Sequence, residues 1–442
     1  MKSKFLNLFV PGLILFGHIF LSATEFPILS VDRYWQMPSK DCFYSAPFDA
    51  FLYTHGSSPF LGMVHYAATV LGGGNPNLVY SIILPLLHLI SFLLMRKTFR
   101  LFRFRGSGLL LGILFLNPAV FAYFRYPFYS TYLFFISSLL IYLLWAPGNR
   151  IWRYLLISFL ICLASFIRPS WHIGLALIWI LFLCYKERKR LSKKVLITGI
   201  LFLALPVGLY LKNYILFDSF VGSTWLGMNI ARTYNIKPSP TNITAISPFS
   251  PLDKYSGKYD EQDPLIEKYS NNPCVNGNDF QNVRYIVISR EYQKWISPNI
   301  NFKTSLLAFV IGLIIFLKSP TNYLFFKPRL LTLPELWKKS QGLDWLSFPL
   351  KNDLEINLYQ FVYLFAMFYF FVRFRKITPR FKLIYLHVFF LSVLYCVVDP
   401  MESNRMRFEI EPFLYLLSAI SLYSLAHRLK KWKKKRPEKK AA

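Results

Sequence analysis

The chain has 442 residues, with 51 Lys and Arg against 22 Asp and Glu, a formal net charge of +29, and 54% hydrophobic and 19% aromatic residues. Such a charge by itself points to a polyanionic partner, but only 17% of the residues are charged, against about 25% in a soluble domain, and the mean hydropathy is +0.36. A soluble nucleic-acid binder and a disordered chain are both excluded, which leaves a membrane protein without a nucleic-acid partner.

A membrane-crossing helix needs roughly 20 mostly apolar residues. In chain order the candidates are Phe5–Ser22, Leu78–Met95, Ser107–Phe124, Pro127–Trp145, Lys194–Leu216, Asn357–Arg373, Lys382–Val398 and Ile410–His427. The stretch Arg153–Tyr185 is long enough for a hairpin, and Pro169 disfavours helix at Arg168, where it breaks. Phe5–Ser22 follows Lys2 and Lys4 and has signal-peptide features, but is read as an uncleaved first span because the rest is polytopic. Ser305–Leu317 is apolar too. If it crossed, the basic run Arg373–Lys382 and the tail Arg428–Lys440 would both lie outside, against the preference of basic residues for the cytoplasm. It is therefore read as interfacial or re-entrant, with a hidden extra span between Thr321 and Leu333 as the alternative.

The expected fold is all-α: a polytopic integral membrane protein of about ten spans, outer-face loops and an interfacial or re-entrant helix near 305–317. Both termini are cytoplasmic in this reading. The segments so assigned hold 27 of the 29 net positive charges, leaving the outer face close to neutral. The basic tail reads as a topology anchor touching anionic lipid. Three regions follow: 1–216 as a transmembrane module with its first outer loop at 23–77, 217–356 as an outer-face region with a membrane-hugging segment, and 357–442 as the last spans and the tail.

The chemistry is sought on the outer face. No phosphate-binding glycine loop, dinucleotide fingerprint or zinc-protease motif is present, and Gly72-Gly73-Gly74 reads as a turn. The five cysteines have no metal-ligand spacing. Cys162, Cys184 and Cys396 fall within spans as packing residues, whereas Cys42 and Cys274 both fall outside, where a disulfide is permitted. Asn242-Ile243-Thr244 is a glycosylation sequon of little weight. Charged residues gather at span ends: Asp32, Arg125, Arg168, Lys212, Glu402, Arg405 and Arg407. Ionisable groups near hydrocarbon are costly and point to function, the alternative being that they snorkel to water. One carboxylate able to take a proton from a hydroxyl, with several cations able to hold a phosphate, suits catalysis on a lipid-linked phosphate. Tyr34, Trp35, Trp225 and Trp295 are read mainly as interfacial anchors, with stacking on a sugar as the other option.

Several passages in order resemble the polytopic glycosyltransferases of the C-type fold, the superfamily of protein O-mannosyltransferases and lipid A aminoarabinose transferase. Asp32 after the first span is similar to the family's acidic first-loop position. Ser58-Pro59-Phe60-Leu61 through Leu71-Gly72 looks like its Pro-started loop helix ending in Gly. Asn117-Pro118 through Arg125, followed by an apolar span, looks like its third and fourth spans, and Phe166 to Ser170 like its Leu-x-Arg-Pro-Thr turn. Lys212-Asn213-Tyr214 through Phe217, with Phe220-Val221, resembles an Arg-Asn-Tyr segment, and Arg405 to Leu414 a segment near the chain end.

The resemblance implies an inverting membrane transferase whose donor is a sugar on a polyprenyl phosphate. The acceptor would be a hydroxyl of a lipid, glycan or protein, at the periplasmic face of a bacterial inner membrane. Asp32 would be the general base, and Arg168, Lys212, Arg405 and Arg407 would hold the donor's lipid phosphate. There are departures. Arg33 follows Asp32 where the family often has Glu. No acid stands at Tyr129-Ser130-Thr131, where the family often has one soon after the residue matching Arg125. That leaves divalent-metal binding open and without assigned ligands, Asp41, Asp49, Glu402, Glu409 and Glu411 being the other acids in reach. A flippase of lipid-linked glycans, or a glycan polymerase or ligase, is the competing function. Span centres nearly free of charge and no visible inverted repeat weigh against transport.

Overall fold

The computed structural model describes residues 2–23, 40–104, 107–148, 150–186, 190–227, 262–276, 281–296, 300–317, 347–349, 355–398 and 403–435. Asp32, Glu402 and the sequon lie outside these residues, as do Asp399 and the alternative span at 321–333. The described chain is helical apart from one antiparallel pairing of Ser347–Pro349 with Glu355–Asn357, in which Phe348 faces Ile356.

In chain order the helices are α1 (Lys2–Ala23), α2 (Lys40–Ser45), α3 (Pro47–Tyr53), α4 (Phe60–Leu71), α5 (Pro76–Leu101), α6 (Ser107–Phe115), α7 (Pro118–Tyr123), α8 (Tyr129–Trp145) and α9 (Arg150–Ile167). They continue as α10 (Ile173–Lys186), α11 (Arg190–Phe217), α12 (Pro264–Lys268), α13 (Pro273–Asn276), α14 (Arg284–Ile296), α15 (Phe302–Phe316), α16 (Leu358–Val372), α17 (Pro379–Val398) and α18 (Ser403–Lys435). Among the described residues, five stretches are long and apolar enough to cross a membrane: Pro76–Leu101, Arg150–Ile167, Lys193–Phe217, Pro379–Val398 and Arg405–Trp432. Apolar side chains face outward along them, including Ile82, Ile197, Leu201 and Phe389. A soluble protein rarely leaves so much apolar surface bare, and lipid is the solvent that accepts it.

Local chemistry sets the helix ends. Pro59 and Gly72 cap α4, as expected of a helix between those residues. At Gly72 a Cβ would lie 2.2 Å from the Asn75 carbonyl oxygen, so the turn needs glycine there. The expected hairpin at 153–185 is α9 and α10, broken by a 3-10 turn at Pro169–Trp171. The expected single span Ser107–Phe124 differs: it is two helices, α6 and α7. Pro118 disfavours helix at Asn117, and the Asn117 side chain instead accepts from the Ala119 N–H at 3.1 Å, starting α7 afresh.

The last helix is the axis of the bundle. Almost every described residue of α18 from Ser403 to Ser421 is buried, and it packs on α8, α15, α16 and α17. Around α8 the contacts pass to α5 and α9, and from α9 to α10 and α11. The α15 helix docks on the start of α18. Ser403 donates to the Gly312 carbonyl (2.8 Å) and Arg407 to that of Phe316. The partners advance by four residues on each helix, so the two run alongside in the same direction. At Gly312 a Cβ would sit 2.2 Å from the Cys396 carbonyl oxygen, which lets α15 approach the end of α17 closely. The first ten residues of α15, about 15 Å of helix, therefore extend past the start of α18.

The segments expected on the outer face are joined to one another. Cys42 on α2 and Cys274 on α13 make a disulfide across 232 residues, with Cα atoms 5.2 Å apart. Tyr53 packs on Tyr269, which donates to the Leu216 carbonyl at 2.7 Å. Cys162, Cys184 and Cys396 are not in a disulfide, in keeping with packing roles. A crosslink over so long a loop contributes about 2–4 kcal/mol. Cys42→Ser should lower the thermal unfolding temperature of the purified protein, and alkylation of the wild type should reach Cys42 and Cys274 only after reduction.

Candidate functional site

The Glu409 carboxylate, on the second turn of α18, has no exposed surface. It forms an ion pair with Arg168, which directly follows α9. It also accepts from the Ser130 hydroxyl on α8 (3.2 Å), the Trp171 indole N–H (3.4 Å) and the Tyr395 hydroxyl on α17 (3.0 Å). Ser137 adds a 2.6 Å bond to the Glu409 main-chain carbonyl. Donors from α8, the turn after α9, and α17 thus converge on one anion. A buried carboxylate requires such satisfaction, and each donor ties its helix to α18.

Tyr129 begins α8 and lies between two guanidiniums: Arg168 is 4.5 Å and Arg405 5.5 Å from its ring centre. Arg405 also stands 5.1 Å over Phe128. Two of the four cations expected to bind phosphate therefore meet at one ring. The other two lie elsewhere. Arg407 turns to the opposite side of α18, where it bonds Glu411 at 3.2 Å and the α15 terminus, and Glu411 accepts from Tyr415 at 2.6 Å. Lys212 instead donates to the Thr54 carbonyl. Arg125 leaves the group, donating to Ser22 at 2.8 Å and to the His18 carbonyl at 3.4 Å on α1.

The outer layer has its own centre. The backbone N–H groups of His55 and Gly56 donate to the Gln281 side-chain oxygen (3.0 and 2.9 Å). The His55 ring lies 2.7 Å from both the Gln281 carbonyl and the Thr224 hydroxyl. The carbonyl can only accept, so Nε2 carries the hydrogen and Nδ1 accepts from Thr224. Burial pushes the imidazole down to about 3; the Gln281 carbonyl opposes this and Lys212 adds to it. The layer meets the Arg168 turn at Gly222, where a Cβ would lie 2.5 Å from the Pro169 ring. His55 and Gln281 carried no motif and were not singled out in the sequence. Glu409 was noted only as one acid among several, and its partner Ser130 stands 279 residues away.

Glu409 on α18 thus brings a carboxylate to Ser130 at the start of α8. No group of three or more His, Cys, Asp or Glu side chains gathers among the described residues, so the structure assigns no ligand set to a divalent metal. No protein family matches the chain, and neither a curated protein nor a solved structure matches it.

Two outcomes test the geometry. Removing one partner of a buried ion pair costs about 3–5 kcal/mol. Glu409→Gln should therefore lower the unfolding temperature sharply, and the double variant Arg168→Met/Glu409→Leu should lose less than the two single variants together. For His55, an unfolded imidazole takes a proton below its ordinary value of 6.5, whereas the folded one stays neutral down to about 3. Its stabilisation is complete above pH 6.5 and falls by about 1.4 kcal/mol per unit as the pH drops from there toward 3. Unfolding at pH 7 and pH 5 should show a larger loss in the wild type than in His55→Gln.

Proposed function

We propose that the chain is a glycosyltransferase of the membrane, moving a sugar from a polyprenyl-phosphate donor to a hydroxyl of a lipid, glycan or protein acceptor. In this reading α1, α5, the broken pair α6–α7, α8, α9, α10, α11, α16, α17 and α18 are the ten spans, and α15 is re-entrant from the outer side. The membrane is a bacterial inner membrane and the site faces the periplasm. The Cys42–Cys274 disulfide agrees with an oxidising outer compartment.

The observation that carries the reading is the meeting of Arg168 and Arg405 on Tyr129, brought from turns some 240 residues apart in the chain. Guanidiniums held in place by rings and by Glu409 are preorganised for an oxyanion. Asp32 takes the proton from the acceptor hydroxyl, whose oxygen attacks the anomeric carbon. The bond from that carbon to the phosphate oxygen breaks, and its electron pair leaves with the polyprenyl phosphate. One displacement inverts the anomeric centre. Arg168, Arg405, Lys212 and Arg407 are the cations proposed for the donor phosphate, Arg407 acting from the far side of α18.

One observation favours the flippase as a second reading. Arg405, Arg407, Glu409 and Glu411 are all buried within the bundle, and charges inside a membrane bundle also line transport paths. A purified protein given a defined polyprenyl-phosphate sugar and acceptor separates the two, because only the transferase makes a new glycosidic bond in detergent. Asp32→Asn should abolish that bond formation while the protein stays in the membrane; wild-type turnover would remove Asp32 from the mechanism. Profiling the glycans of a deletion strain would name the sugar.

A further inference from the structure

Trp225 is 6% exposed, and its indole N–H has no hydrogen-bond partner among the described residues. A buried indole N–H ordinarily finds an acceptor, and one without it marks a position where an acceptor belongs. The ring is fixed in place. It lies against Gly56, where a Cβ would come within 2.4 Å of it, and its centre is 6.3 Å from that of Tyr285. The ring atoms nearest Gly56 include Nε1 itself, so the unpartnered N–H lies at this contact with the Thr54–Gly56 segment.

Lys212, on α11, reaches the same short strap, Thr54 to Gly56. Its ammonium donates to the Thr54 carbonyl, two residues before Gly56. No carboxylate lies within ion-pair distance of it among the described residues, unlike Arg168, Arg407, Arg290 and Lys294. An ammonium has three donors, so those not used by Thr54 remain for a ligand. Between the two contact points, His55 is locked as a neutral ring by Gln281 and Thr224, and Thr224 is the neighbour of Trp225. The strap brings no counter-charge of its own, and its position relative to both donors is set by uncharged hydrogen bonds.

We propose that the Trp225 indole N–H and the Lys212 ammonium form a donor pair for a phosphate oxyanion, that of the lipid-linked donor. This rests on the transferase reading for the lipid and on the geometry alone for the anion. The ammonium supplies charge and the indole supplies direction, so Trp225 is a specificity residue that distinguishes a phosphate from a neutral polyprenol. Gly222, packed on Pro169 and Tyr210, sets this pair beside the turn that carries Arg168.

The test uses the full-length protein in nanodiscs and three probes: a polyprenyl monophosphate, the matching polyprenol and inorganic phosphate. Trp225→Phe keeps the ring and removes the N–H; Lys212→Met keeps the stem and removes the charge. Each should weaken polyprenyl monophosphate binding about tenfold, the scale of one lost charge-assisted bond, and leave polyprenol binding unchanged. Unchanged unfolding temperature and an intact Cys42–Cys274 disulfide would show that both variants are folded. Wild-type affinity in Trp225→Phe overturns the proposal. Inorganic phosphate binding as tightly as the lipid phosphate overturns the lipid assignment. Because no sugar is present, Trp225-dependent binding without any transfer activity would sink the transferase reading alone. Transfer with a normal donor KM in Trp225→Phe would sink the donor pair alone.

Discussion

A carboxylate buried in a helical bundle is stable only if the surrounding elements bring donors to it, and Glu409 imposes that condition on three of them. Arg168, Ser130, Trp171 and Tyr395 reach it from α8, from the turn after α9 and from α17. The turn at Pro169 cannot move without stranding Arg168, nor α8 without stranding Ser130. The same pair holds Arg168 over Tyr129, the ring that Arg405 shares. Positioning of the cations is therefore a consequence of satisfying one buried acid.

The outer layer obeys a different economy. Its centre, His55, is neutral, and its bonds run to a carbonyl, a hydroxyl and a side-chain amide. The disulfide from α2 to α13 joins the two outer segments, and Gly222 joins the layer to the arginine turn below. Acid pairing is strong inside the bundle and sparse at Lys212. That division places counter-charged cations where the fold needs them and a cation without a carboxylate where a ligand could use it.

Much of the helix layout was legible. Apolar length located the long helices, Pro169 and Gly72 marked breaks, and Cys42 with Cys274 were the two cysteines left for an outer pair. Asn117-Pro118 was visible as a motif, yet its power to split a span lay in capping chemistry that hydropathy does not weigh. The candidate site was legible as residue types at span ends, but not as a constellation. Arg125, Arg168, Lys212, Arg405 and Arg407 look alike in the sequence. The structure sends one to α1, two to Tyr129, one to Glu411 and one to Thr54.

The surplus of positive charge tells the same story. By itself the sequence determined the solvent of this protein, because hydropathy is additive along the chain and needs no partner. It also determined where cations cluster, and hence the proposed sidedness. Only the tertiary structure decided which cations are neutralised, because a counter-charge can come from any helix. Glu409 reaches Ser130 from across the chain, whereas Lys212 meets a backbone carbonyl. Charge count is a property of sequence; charge compensation is a property of packing.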